Sequence, residues 1–111
     1  MLKGIGIDLI EIERIKKASQ NKNFLKRIFT EKEISYCLNK KNKYQHLAVR
    51  FAAKEAFKKA IDKNISFKEI EVIKENNKPK IEILNKKFKN KKIFLSLSHT
   101  QKYAVAVVIV F

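Results

Sequence analysis

The sequence predicts an α+β domain, with an N-terminal strand, a group of helices around one long central helix, and then an antiparallel β meander. Three observations carry that prediction. The opening GIGIDLI alternates apolar with small or polar residues at the period of a strand. The segment from about Tyr44 to Ile61 contains no Gly or Pro and is rich in Ala, Lys and Glu, the composition of a helix. After residue 66 the pattern becomes short period-two runs separated by polar turns.

Taken in order, Ile5, Ile7 and Leu9 alternate with Gly6 and Asp8, so Asp8 projects from the opposite face to its Ile neighbours. EIERIKKAS follows as a short helix with Ile12 and Ile15 on one face, and NFLKRIF is apolar enough to pack on it. Thr30 followed by Glu33 is a capping-box pair, which starts a helix at Glu31 that runs through Tyr36 and Leu38. KKNK, residues 40–43, is a basic connector. In the central helix Val49, Ala53, Ala56 and Ala60 form a line at spacings of three and four, with Phe57 and Ile61 beside it. So many alanines predict close approach by other backbone. FKEIEVIKE, PKIEIL, KIFLSLS and KYAVAVVIV read as strands, and Asn76-Asn77 suits a tight hairpin turn because Asn tolerates the left-handed region. Ser66 with Glu69 also has capping-box spacing, but the alternation that follows argues strand. NKKFKNKK, residues 85–92, reads as a short helix or loop. No repeat or linker divides the chain, so residues 1–111 are expected to form one domain.

Composition excludes several classes. Hydrophobic residues are 45% and charged residues 33% of the chain, too apolar for a disordered tail. The single cysteine, Cys37, rules out an internal disulfide framework and a thiolate zinc site. The longest apolar run, AVAVVIVF, is far short of the roughly 20 residues a membrane-spanning helix needs. Asp8, Glu11 and Glu13 make the N-terminus unlike a signal peptide, and a cytoplasmic protein is the expectation. The net charge is +15, nearly all of it lysine, since the arginines are only Arg14, Arg27 and Arg50. Such a charge fits a solvated lysine-rich surface or a polyanionic partner: nucleic acid, a phosphorylated cofactor or an acidic protein. A nucleic-acid module is the alternative from another class. Against it, the eight Phe and three Tyr mostly fall at core-like positions and form no stacking platform.

Acidic residues are scarce, which makes their placement informative. Asp8 sits within an apolar strand and Glu55 in the middle of the most helical segment. Two carboxylates from a strand and a central helix could hold one divalent cation, and Mg²⁺ takes one or two carboxylates together with water and substrate phosphates. Lys54, Lys58 and Lys59 would suit those phosphates. Spacing alone equally pairs Glu55 with Lys58 or Lys59 along the helix, and on that ground the pairing is favoured. SLSHT places hydroxyls and an imidazole between two strands, where His99 could donate to a phosphate or act as a general base. A polar turn residue is the plainer reading of the same histidine.

GIDLIEIERI, FTEKE, RFAAKEAFKKA, NKPKI and SLSHT occur in an order and at spacings in which the chain resembles the bacterial holo-[acyl-carrier-protein] synthases, the small class of 4′-phosphopantetheinyl transferases. The resemblance covers nearly the full length. It implies the 4′-phosphopantetheinyl transferase fold. It also implies transfer of 4′-phosphopantetheine from coenzyme A to a serine of apo acyl carrier protein for fatty acid biosynthesis. The by-product it implies is adenosine 3′,5′-bisphosphate, and the metal it implies is Mg²⁺. By resemblance Asp8 and Glu55 are the metal ligands, and Lys59 contacts phosphate. Arg50 and Lys54 stand beside the site. Ser98, His99 and Thr100 line the coenzyme A site, and Lys78 and Pro79 lie near the adenine. Lys41 and Lys43 fall in the basic loop that binds the 3′-phosphate. Glu55, His99 or a metal-positioned water remain the candidates for general base. Arg14 matches the basic residue that docks the acidic carrier protein, and Lys16, Lys17, Lys22, Lys26 and Arg27 extend that surface. The resemblance further implies a homotrimer with active sites at subunit interfaces, which would explain the apolar AVAVVIVF strand; no membrane partner is expected, and the placement of the aromatics argues against a nucleic-acid partner. An inactive relative that binds without transfer is a third reading.

The chain departs from the family's pattern at a few places. Asp62 and Asn64 stand after the central helix where glycines are usual, and Asn77 stands where Gly precedes Lys-Pro. Glu13 stands beside Arg14 where many relatives are basic or neutral. Asn at positive φ keeps a turn, whereas close approach to adenine would favour Gly.

Overall fold

The computed structural model describes residues 1–88 and 90–111. Strand β1 (Gly4–Glu11) leads into three short helices, α1 (Ile12–Ala18), α2 (Lys22–Ile28) and α3 (Glu31–Leu38). The long helix α4 (Lys43–Ile61) follows. A 3-10 turn at Phe67–Glu69 precedes the hairpin β2 (Ile70–Glu75) and β3 (Lys78–Ile83). A second 3-10 turn, Lys86–Phe88, leads to β4 (Ile93–His99) and β5 (Tyr103–Val110). Lys89, within the segment read as a short helix or loop, lies outside the described residues.

The antiparallel strands expected in the second half are present, but they do not form one continuous meander. β2 and β3 make a sheet of two, while β5 is the middle strand of a second sheet ordered β1-β5-β4. The N-terminal strand therefore pairs with the last one, Asp8 opposite Ala106. The Ser66–Glu69 capping pattern also proves real. Glu69 Oε1 accepts from the Ser66 N–H at 3.3 Å, and the Glu69 N–H donates to the Ser66 C=O at 3.0 Å. These contacts close a 3-10 turn, and the strand begins only at Ile70. Alternation alone could not find this, because a turn of three residues is too short to show a helical period.

Other local readings follow their chemistry. Thr30 Oγ1 accepts from the Glu33 N–H and Glu33 Oε1 from the Thr30 N–H, so α3 starts at Glu31. Asn76 and Asn77 both have positive φ, 53° and 64°, and close the β2–β3 hairpin as its two-residue loop.

Helix α4 lies across the inner face of the β1-β5-β4 sheet and joins two apolar clusters. One gathers Ala52, Ala56, Phe57, Val72, Ile81 and Val108, and the other Ile15, Phe29, Cys37, Leu47 and Ala104. The helix and β1 touch backbone to backbone. A Cβ on Gly6 would stand 1.9 Å from the Ala56 carbonyl oxygen, and one on Gly4 1.8 Å from that of Ala60. This contact is why alanine lines that helix face and why the strand opens G-x-G. It also turns Ile5, Ile7 and Leu9 outward, where they remain 62%, 59% and 66% exposed. Val105, Val107 and Ile109 of β5 lie beside them in register, and Phe94 of β4 completes the row opposite Ile109. The sheet thus has an apolar outer face as well as an apolar inner one.

Candidate active site

Asp8 reaches the inner side of the sheet because it shares the parity of Gly6, which must face α4. Glu55 and Lys59 lie one helical turn apart on α4 and so share a side of it. Lys59 Nζ donates to Asp8 Oδ1 at 3.2 Å and to the Ile7 carbonyl at 3.0 Å. Among the described residues Glu55 makes no ion pair, so the helical pairing with Lys58 or Lys59 that spacing favoured is not formed. Asp8 and Glu55 instead line one cavity of about 350 Å³, with Phe24, Phe51 and Ile10 as apolar wall and Arg14 at its edge. A neighbouring open cavity of about 420 Å³ shares Glu55 and adds Lys58, Lys59 and Asp62. Two carboxylates with ammonium groups nearby are a donor set that could hold a hard cation together with phosphate. Among the described residues no cluster of three ligating side chains exists, so Asp8 and Glu55 alone would leave coordination positions to water and phosphate, as Mg²⁺ accepts.

Arg14 is exposed on α1, and Lys16, Lys17, Lys22, Lys26 and Arg27 are exposed on or beside it. The second group of sequence-predicted residues lies elsewhere. His99 ends β4 and meets Gln45 at the start of α4 through its Nδ1. Lys41 and Lys43 line a separate cavity of about 410 Å³ with Gln45 and Gln101. Ser98 is exposed. The Thr100 hydroxyl oxygen accepts from the Lys102 and Tyr103 N–H groups at 3.2 and 3.0 Å, tightening the β4–β5 turn. Lys78 and Pro79 border a third cavity, about 350 Å³, against Phe94, Leu95, Ser96 and Leu97. Within one chain these residues do not meet Asp8 and Glu55 in one cavity.

Lys54 requires a correction. It was expected beside phosphate but is fully buried, its ammonium bonded to Glu33 and to two backbone carbonyls. All three of its protons are used, so none is left for a ligand. Burial lowers its pKa from the ordinary lysine value, and Glu33 pulls it partly back.

Arg50 is also buried, donating to the His46 carbonyl at 3.1 Å, but its Nε has no partner among the described residues. Its guanidinium lies 4.5 Å from the centre of the Tyr36 ring, with Lys40 at 4.6 Å and Lys74 at 5.9 Å. Arg50 and Lys74, with Lys32, Glu33 and Tyr36, line a pocket of about 240 Å³. Burial raises the Tyr36 phenol, but Lys74, then Lys40 and Arg50, outweigh it and the net value lies below the ordinary one. Burial together with the same cations keeps His46 below its ordinary pKa. Sequence reading missed Tyr36, Lys74, Gln45, Phe24 and Phe51 here. The aromatic ones carry the same helical spacing as core residues, and Lys74 is one lysine among many.

Residues 4–108 match the 4′-phosphopantetheinyl transferase superfamily. Over 115 aligned residues the chain is 48% identical to the holo-[acyl-carrier-protein] synthase of Chloroherpeton thalassium, covering 96% of this chain and 95% of that protein. Its fold is similar to that of the Bacillus anthracis holo-(acyl-carrier-protein) synthase in complex with coenzyme A (3′,5′-ADP), with TM-score 0.88, 37% identity and coverage of 99% and 96%. The Neisseria meningitidis holo-[acyl-carrier-protein] synthase superposes with TM-score 0.91 at 30% identity, covering 100% of this chain and 99% of that one.

Proposed function

The chain belongs to the 4′-phosphopantetheinyl transferase superfamily, and from that premise we infer that it is a holo-[acyl-carrier-protein] synthase working through the Asp8–Glu55 cavity. It transfers 4′-phosphopantetheine from coenzyme A to a serine hydroxyl of apo acyl carrier protein and releases adenosine 3′,5′-bisphosphate. The observation that carries the assignment to this cavity is the meeting of Asp8 and Glu55, far apart in sequence, in one cavity with Arg14 at its edge.

Asp8 and Glu55 are the groups that would hold Mg²⁺, which would supply charge stabilisation while the P–O bond inside the coenzyme A pyrophosphate breaks, the pantetheine phosphate passing to the serine oxygen and the other phosphate leaving on adenosine 3′,5′-bisphosphate. Lys59, bonded to Asp8 Oδ1, holds that carboxylate in place and adds positive charge on the phosphate side. Phe24, Phe51 and Ile10 form the apolar part of the cavity wall. Arg14, with the lysines of α1 and α2, attracts the acidic carrier protein, an attraction that weakens with salt.

The remaining residues, Lys41, Lys43, Arg50, Lys78, Pro79, Ser98, His99 and Thr100, serve coenzyme A from a neighbouring copy. The apolar outer face of Ile5, Ile7, Leu9 and Phe94 supports a homotrimer that brings them to the Asp8 cavity, since a contiguous apolar patch of this kind marks an interface. The whole chain, 1–111, acts as one unit, in a cytoplasmic setting consistent with the absence, among the described residues, of any helix long and apolar enough to cross a membrane. Mixing Asp8→Ala with His99→Ala protein tests the shared site. Each is expected to be inactive alone, and subunit exchange restores activity because some interfaces then hold both native residues. No recovery after verified exchange contradicts the shared site. Titration of Mg²⁺ in the presence of coenzyme A checks the metal, with heat for wild type and none for Asp8→Asn.

A further inference from the structure

The Asp8–Glu55 cavity has one wall on α2, through Phe24, and another on α4, through Phe51 and Glu55. Phe24 and Phe51 meet with ring centroids 6.3 Å apart, and Phe51 stacks on Phe67 at 5.7 Å. Such apolar contacts are not directional and do not by themselves fix a spacing. A polar fastening lies beneath them. Lys54 Nζ, on α4 between Phe51 and Glu55, donates to the Ile28 carbonyl at 2.8 Å, to Glu33 Oε1 at 2.5 Å and to the Phe67 carbonyl at 3.0 Å. Ile28 is the last residue of α2, and its carbonyl is one that a helix end leaves without an intrahelical partner. Phe24 lies one turn earlier. The anchor is itself rigid, because Glu33 Oε1 also accepts from the Thr30 N–H at 2.9 Å and Oε2 from the Val72 N–H at 2.8 Å.

We propose that Lys54 is the positioning residue of this cavity, clamping the end of α2 to α4 so that Phe24 stands at the right distance from Phe51 and Glu55. The inference rests on the cavity being the transfer site. Because Phe24 lines the cavity together with Arg14, the proposed docking residue for the carrier protein, loss of the clamp is felt by that substrate more than by coenzyme A.

Lys54→Met removes the clamp. Thr30→Ala is the control: it loosens the same buried network, where the Thr30 hydroxyl donates to Glu71 Oε2 at 2.6 Å, but leaves all three acceptors of Lys54 in place. Both are assayed beside wild type at a temperature where circular dichroism shows them folded. In Lys54→Met the KM for carrier protein is expected to rise about tenfold while that for coenzyme A stays within about twofold. Thr30→Ala keeps both values near wild type. If Lys54→Met does not fold, Lys54→Gln, which retains two amide protons, is read by the same criterion. An unchanged carrier KM, a parallel rise of both KM values, or failure of both Lys54 variants to fold overturns the positioning role. Failure of wild type to transfer at all overturns the underlying assignment instead.

Discussion

Gly6→Ala probes the contact on which the site's geometry depends. The added Cβ would lie 1.9 Å from the Ala56 carbonyl oxygen and 2.9 Å from the Ala60 nitrogen, and both are backbone atoms of a long helix. No side chain can rotate away. Relief to the 3.0 Å that real Cβ atoms respect needs β1 to retreat from α4 by at least 1.1 Å. Asp8 is two residues along the same strand and moves with it, away from the helix that carries Glu55. Overpacking against an unyielding partner costs about 3 kcal/mol, which for a domain of this size lowers the melting temperature by about 12 °C. A displacement of about 1 Å in a reacting constellation costs on the order of 100-fold in rate. Calorimetric melting gives the first number, and intact-mass transfer assays on folded protein give the second. Gly4→Ala meets the Ala60 carbonyl oxygen at 1.8 Å but lies farther from Asp8, so it should melt as early and lose less activity. A Gly6→Ala protein that melts within about 2 °C of wild type and transfers at the wild-type rate refutes the close packing and its link to the site.

Other consequences are local. Asp62 holds φ 48° at the end of α4, so Asp62→Gly should stabilise by about 1 kcal/mol, roughly 4 °C in melting temperature, and a lower melting temperature contradicts this. Burial pushes the Cys37 thiol up to about 11, so a thiol reagent at about pH 8 should label the denatured chain and leave the folded protein unlabelled; rapid labelling of native protein contradicts it. His46 is held below its ordinary 6.5 by burial and by Arg50, so the unfolded chain takes up the proton first as pH falls. Stability should therefore drop as pH goes down through 6.5, and His46→Gln should flatten urea midpoints across that window; an unchanged slope rules His46 out as its source.

Much of this architecture is written in local signals. The alanine line at Val49, Ala53, Ala56 and Ala60 announces a helix in close contact, and Thr30 with Glu33 announces where α3 begins. What short-range pattern does not hold is pairing. Nothing in AVAVVIVF says that its partner on one side is GIGIDLI, and that pairing divides the expected meander into a hairpin and a separate sheet. The site divides in the same way. Asp8 was legible as a charge within an apolar strand, and Glu55 as a carboxylate on a crowded helix face. Lys54, its neighbour in the same lysine-rich helix, looked equally suited to phosphate. Only the three-dimensional arrangement shows Glu33 and two carbonyls converging on it, because those acceptors come from α2, α3 and the 3-10 turn before β2. The apolar outer face was visible in β5 but was hidden in β1, where Ile5, Ile7 and Leu9 look like core until Gly6 is seen to claim the inner side.

The most direct test of the central claim is the intact mass of apo acyl carrier protein after incubation with coenzyme A and Mg²⁺, using wild type, Asp8→Asn and Glu55→Gln, each with a chelated control. Wild type should add one phosphopantetheine group, none after chelation, and neither variant should add any while both remain folded. Full transfer by Asp8→Asn and Glu55→Gln would contradict it, because the chemistry would then lie outside the cavity those two carboxylates define.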